Sequence, residues 1–171
     1  MSAPEFSHVI DLRQITDQPV VLEPDEAARR RLAGRFGIPA INAMRAELLL
    51  CLEGTAVEAK GRLTAKIIQS CAISGDDFPV SIDELVALRF VPARQTLVPD
   101  EELEISADDC DEIEYEGSAF DLGEAVAQSL ALAIDPFAEG PNADKARKEH
   151  QLGGEVASGP FAALAALKSK D

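Results

Sequence analysis

Tryptophan is absent from this chain of 171 residues, tyrosine occurs once, and aromatics make up only 5% of the sequence. Proteins that hold single strands of nucleic acid without sequence preference stack bases on aromatic side chains, so that mode of binding is not expected. Long apolar runs are missing too. None approaches the roughly 18 residues of a membrane-spanning helix, and the opening stretch "MSAPEFSHVIDL" has no basic start leading into an apolar segment, so no secretory leader is expected. The cytoplasm is the expected compartment.

Cysteine is scarce and unpaired in pattern. Cys51, Cys71 and Cys110 are odd in number and widely spaced, which is not a disulfide framework and fits a reducing compartment. The only histidines, His8 and His150, sit near opposite ends, so no Cys/His or Ser/His couple is suggested and no enzymatic activity is expected. "SGDD" has one glycine and two carboxylates that would repel a phosphate, and reads as a hairpin turn. "DDCDEIEYEG" lacks the alternating carboxylates and central glycine of a calcium loop. A zinc hairpin beginning at Cys71 would need a second thiolate where Ser74 stands. No metal and no cofactor are expected.

Basic charge is the other deficit: 16 Lys and Arg against 31 Asp and Glu give a net charge of −15. The average field repels polyphosphate, so DNA is not an expected partner, whereas a basic protein is a natural one.

What is present is a patterned domain. "EFSHVIDLRQI" reads as a first strand, and "LEPDEAARRRLAGRFGIP" as a helix bracketed by Pro24 and Gly37, with Asp25 and Glu26 in its first turn and Arg35 near its end. "AMRAELLLCLEG" is a mostly apolar strand that turns at Gly54. In "VEAKGRLTAKI" the residues Val57, Ala59, Gly61, Leu63, Ala65 and Ile67 alternate with Glu58, Lys60, Arg62, Thr64 and Lys66, a period of two with one buried face and one wet face. "FPVSI" continues the alternation, and the break in pattern near Glu84 suggests a bend or bulge before "LVALRFVP".

Between residues 100 and 116 lie ten carboxylates and no Lys or Arg, read as a solvated acidic loop whose end, "EIEYEG", rejoins the sheet as a charged edge strand. "DLGEAVAQSLALAIDP" is a second helix. Asp121 caps it, Glu124 stands where a capping box needs it, Pro136 stops it, and Leu122, Val126, Leu130 and Ile134 form an i, i+4 stripe. The expected fold is therefore α+β: an antiparallel β-sheet meander or half-barrel with two packed helices, a mobile linker and a short C-terminal helix. The expected boundaries are a domain over residues 1–137, a flexible linker over 138–159 in which "ADKARKEH" allows a brief helical turn, and an amphipathic helix over 160–171.

Two basic features stand against the acidic background. Arg29, Arg30, Arg31 and Arg35 share one helix, and Lys60, Arg62 and Lys66 share the wet face of one strand, together forming a candidate patch for RNA or another partner. The terminal "GPFAALAALKSKD" supplies a candidate docking helix: Pro160 suits a first turn, Phe161, Leu164 and Leu167 are its apolar residues, and Lys168 suits its C-terminal end. Burying those three apolar residues contributes about 1.5–3 kcal/mol each, while fixing a short segment costs about 1–2 kcal/mol per residue. Such a helix needs a receiving groove.

"CAISGDDFPVSI", "LRFVP", the acidic stretch, "FDLGEAVAQSLALAIDPF" and "GPFAALAALKSK", in that order, resemble the YceD family of large-ribosomal-RNA-subunit accumulation proteins. The resemblance implies a cytoplasmic, non-enzymatic factor that supports the synthesis, processing or stability of large-subunit 23S rRNA. Its partner would be that rRNA or a large-subunit ribosomal protein, and a monomer is expected. The alternative is a chaperone-like acidic binder of a basic ribosomal protein with no direct RNA contact. Many family members carry Cys-x-x-Cys where this chain has Cys71 and Ser74.

Overall fold

The alternating pattern of the long strands builds the sheet. In a computed structural model that describes residues 4–93, 112–150 and 152, β3 (Ala40–Glu53), β4 (Ala56–Ser70) and β5 (Asp77–Pro92) are adjacent, flanked by the short strands β2 (Val20–Leu22) and β6 (Glu112–Tyr115) in the order β2-β3-β4-β5-β6. β2 and β3 pair antiparallel, as do β3 and β4, with Leu48 opposite Gly61 and Glu47 opposite Arg62. The turn between β3 and β4 uses Gly54 at φ 65°, a conformation that costs glycine nothing. A register shift between Ile41 and Ala43 restores the alternation, so that Met44, Ala46, Leu48 and Leu50 all face inward.

β1 (Val9–Asp11) and β7 (Ala119–Asp121) form a separate antiparallel pair, with Ile10 opposite Phe120. The first strand is thus shorter than its sequence suggests. Asp11 caps a 3₁₀ turn, Leu12–Gln14, by accepting a hydrogen bond from the Arg13 N–H, and ends the strand there.

Helix α1 (Glu26–Phe36) starts where Asp25 accepts from the Ala28 N–H and ends at Gly37, whose φ of 66° allows its N–H to reach back to the last carbonyls. Helix α2 (Leu122–Ala133) starts where Asp121 accepts from the Glu124 N–H. Leu32 and Ala33 of α1, and Leu122, Val126 and Leu130 of α2, join one core with Leu48, Val57, Leu63, Ile67 and Phe90 of the sheet. The fold is α+β with an open, mostly antiparallel sheet, as expected. Among the described residues there are three α-helices, the two expected ones and a third, Ala143–Glu149.

Three details differ from what the sequence suggests. Ile82, Val86 and Phe90 are all buried and of one parity, so the alternation in β5 continues through Glu84. The apparent break arises because a carboxylate occupies the inward row at Glu84, and Leu85, 80% exposed, occupies the outward one. β6 is an edge strand, as its charge suggests, but it runs parallel to β5, with Arg89 opposite Glu112, so the sheet is not a pure meander.

The third difference lies in the organisation of the chain. It divides into two units, Met1–Ile68 with Pro79–Asp135, and Gln69–Phe78 with Pro136–Asp171. In the second unit, where a linker beginning at residue 138 is expected from composition, Ala143–Glu149 form helix α3. The segment is tied to the β4–β5 turn: the Ala72 N–H donates to the Ala138 carbonyl at 3.0 Å, and Asn142 Nδ2 to Asp76 at 3.0 Å. Hydrogen bonds of this kind leave no hydrophobic periodicity to read. The expected terminal helix, with Pro160, Phe161, Leu164, Leu167 and Lys168, falls outside the described residues, as does most of the acidic run.

Candidate functional site

The seven candidate cations fall on opposite faces of the sheet. Ala28, Leu32 and Ala33 bind α1 to the core side, whereas Lys60, Arg62 and Lys66 belong to the outward row of β4, whose inward row is Val57, Ala59, Leu63, Ala65 and Ile67. The structure therefore does not bring the helix and strand cations into one patch.

On α1 each arginine already serves the fold. Arg29 donates to the Pro24 carbonyl at 2.8 Å, Arg30 pairs with Glu26 at 2.8 Å one turn away, and Arg31 donates to the Glu5 carbonyl at 3.2 Å. Arg35 forks onto Glu124 at 2.8 and 2.9 Å and also reaches Glu5 at 3.0 Å, tying α1 to α2 and to the N-terminal segment. This is where the Glu124 side chain goes, although its spacing from Asp121 suits a capping box.

The Arg35 hydrogen bond is the main reason the Glu124 carboxyl lies below its ordinary range, against the opposing effect of burial. A carboxylate whose folded pKa is depressed contributes stability above its unfolded pKa, near 4.3, and that contribution is lost as pH falls through the folded value. Replacing Arg35 by Met is therefore expected to destabilise the chain at pH 7 and to flatten the fall in stability between pH 5 and the acid end. Urea titrations across that range test this, and an unchanged slope would mean that Arg35 and Glu124 are not coupled.

The outward face of β3, β4 and β5 is a shallow groove of about 730 Å³ with Arg45, Glu47, Lys60, Arg62, Thr64 and Leu85 on its walls. Its cations are largely held by carboxylates. Lys60 pairs with Glu58 at 2.5 Å, Arg62 with Asp83 at 3.0 Å, Arg45 with Glu23 at 2.5 Å and Glu47 at 3.2 Å, and Arg89 with Glu112 at 3.1 Å. The Glu58 hydrogen bond raises the Lys60 pKa, and Lys60 in turn lowers that of Glu58. Lys66 has no ion pair among the described residues. Pairs this exposed are weak and screened by salt, so a polyanion can displace them, but at a cost.

Arg45 and Arg89 belong to this face and are missing from the patch that the sequence suggests. The alternation Arg45, Glu47, Leu49 was available to place Arg45, within a strand whose apolar content masks it.

In the second unit, Cys71 is buried, and its Sγ accepts from the Ile73 and Ser74 N–H groups at 3.4 and 3.3 Å. Hydrogen bonding, first from the Ser74 side chain, lowers its pKa to about 7. No group of three or more His, Cys, Asp or Glu placed to hold a metal ion occurs among the described residues. No described helix is long and apolar enough to cross a membrane.

A family model described as large ribosomal RNA subunit accumulation protein YceD matches residues 59–168, from β4 through the C-terminal segment. No curated protein and no solved structure matches the chain.

Proposed function

The chain belongs to the YceD family, and on that premise we propose that it is a non-enzymatic cytoplasmic factor supporting the accumulation of large-subunit 23S rRNA in the biogenesis of the large ribosomal subunit. The observation that carries this reading is the match over residues 59–168. Depleting the protein is expected to lower 23S relative to 16S rRNA and to reduce free large subunits. Unchanged subunit profiles in a deletion strain would remove the reading for this member.

A second reading concerns how the factor makes contact: it holds a basic ribosomal protein and does not touch RNA. The pairing of Arg45, Lys60, Arg62 and Arg89 with carboxylates favours it, together with the net charge of −15. Pull-downs with and without nuclease separate the two, since a protein partner survives RNA digestion and an RNA-bridged one does not. Direct RNA contact through the outer face would instead give a steep salt dependence that replacing Lys60, Arg62 and Lys66 together makes shallower. In either case the terminal segment with Phe161, Leu164 and Leu167 is the proposed docking peptide.

A further inference from the structure

Residues 136–150 are held as a strap on the β4–β5 turn, within the second unit. Their side chains contribute little to that position. Phe137 is 78% exposed, and the buried side chains of the strap are two methyl groups, those of Ala143 and Ala146. The ion pairs of the strap are internal to it: Arg147 joins Glu139 and Asp144, and Lys145 joins Glu149. They move with the strap and do not tie it down.

Backbone and polar contacts fasten it instead. Besides the hydrogen bonds from Ala72 to Ala138 and from Asn142 to Asp76, Gly140 approaches the turn so closely that a Cβ there would lie 2.9 Å from the Phe78 ring and 3.4 Å from the Cys71 Cβ. The Gly140 backbone also hydrogen-bonds the Cys71 sulfur, so the strap is part of what buries Cys71. Asn142 stands at the start of α3 but makes no capping bond with its side chain, which is turned to Asp76. A helix as short as α3, with no side-chain cap, is not stable in water by itself. It is therefore helical only while the strap is fastened. Few buried apolar contacts, and hydrogen bonds near solvent, mark segments that open well below the free energy of global unfolding.

We propose that residues 136–150 are a latch that opens from the β4–β5 turn as a unit while the sheet stays folded, uncovering Cys71 and adding their own length to the chain that leads to Phe161, Leu164 and Leu167. The consequence for reach rests on the reading of that terminal segment as a docking peptide. Closed, the latch holds the root of the peptide at the turn. Open, it adds at most about 50 Å of extended chain, so that a bound partner need not sit beside the domain.

Thiol labelling of the full chain tests the latch without any partner. With Cys51→Ser and Cys110→Ser in place, Cys71 is the single thiol. Its labelling by a chromogenic disulfide reagent is expected to be roughly a hundredfold slower than in the urea-unfolded chain, yet roughly a hundredfold faster than global unfolding allows. The rate is expected to change little below about 1 M urea, because a local opening exposes little surface. Gly140→Ala is expected to speed labelling at least tenfold and Asn142→Ala severalfold, while Leu49→Asp, on the outward face, leaves it unchanged. Exchange of the Ala146 and His150 amides, which bond within the strap, is expected to quicken in the same two strap variants. Labelling that shares the urea dependence of global unfolding overturns the latch, since the strap would then be part of the cooperative fold. Labelling as fast as in the unfolded chain overturns it too, because the latch would never be closed, and so does a rate that ignores Gly140→Ala. Each of these failures leaves the docking-peptide reading standing, because the free chain alone is measured.

Discussion

Replacing Phe90 by Ala is expected to lower the unfolding free energy by about 3–5 kcal/mol, the range for removing a fully buried aromatic from a packed core. Phe90 has no exposed surface, and its ring stacks on Phe120 with centroids 4.2 Å apart and planes 27° apart. Phe120 in turn lies 6.2 Å from the Tyr115 ring, whose hydroxyl donates to the Thr55 carbonyl at 2.6 Å. Phe90 and Tyr115 belong to the five-stranded sheet and Phe120 to the two-stranded one, so this cluster joins the two sheets. In a chain with so few aromatics, little else of comparable volume can refill the space. Marginal stability of about 5–15 kcal/mol makes such a loss a large share of the total. Urea denaturation of the full chain measures it, and a loss under about 1 kcal/mol would show that the core collapses around the cavity.

The same cluster shows where the sequence is legible and where it is not. β3, β4 and β5 are visible because each exceeds ten residues and alternates, and α1 and α2 because each has a capping aspartate and an apolar stripe. β1 is legible as a strand but not in its length, β7 at three residues is too short to show a period, and nothing local pairs the two across more than a hundred residues. The direction of β6 depends on how the chain crosses over after β5, which local pattern does not encode. The cationic patch misled for a related reason. Period two places Lys60, Arg62 and Lys66 on the wet face of a strand, but no pattern within a helix tells which face of the sheet receives it. Only packing puts α1 on the core side and turns Arg35 into a tie to Glu124. Glu84, a carboxylate in the apolar row of β5, looks like a break in phase until the neighbouring parity is known.

The second large effect is expected at Gly61, where an added methyl group should be costly although strands ordinarily prefer alanine to glycine. Gly61 sits in the middle of β4 opposite Leu48, between the outward-facing Lys60 and Arg62. A Cβ built there would lie 1.9 Å from the Glu47 carbonyl oxygen and 2.9 Å from the Leu48 Cα. Both are backbone atoms, so no rotamer change relieves the clash, and β3 and β4 must separate. Overpacking within a well-packed core costs about 1–3 kcal/mol and occasionally more, and a contact this short puts Gly61→Ala at or above the upper end. Because Glu47 pairs in register with Arg62, the separation would also disturb the outward groove. Gly34 provides the opposite case in the same chain. It lies within α1, and a Cβ added there would meet nothing within 4 Å, so Gly34→Ala is expected to raise stability by about 0.4–1 kcal/mol through the unfolded state. Parallel urea titrations of the two variants decide the matter: a neutral or stabilising Gly61→Ala would mean that β3 and β4 do not approach so closely in solution, whereas opposite signs would trace the glycine at position 61 to the approach of the β3 backbone.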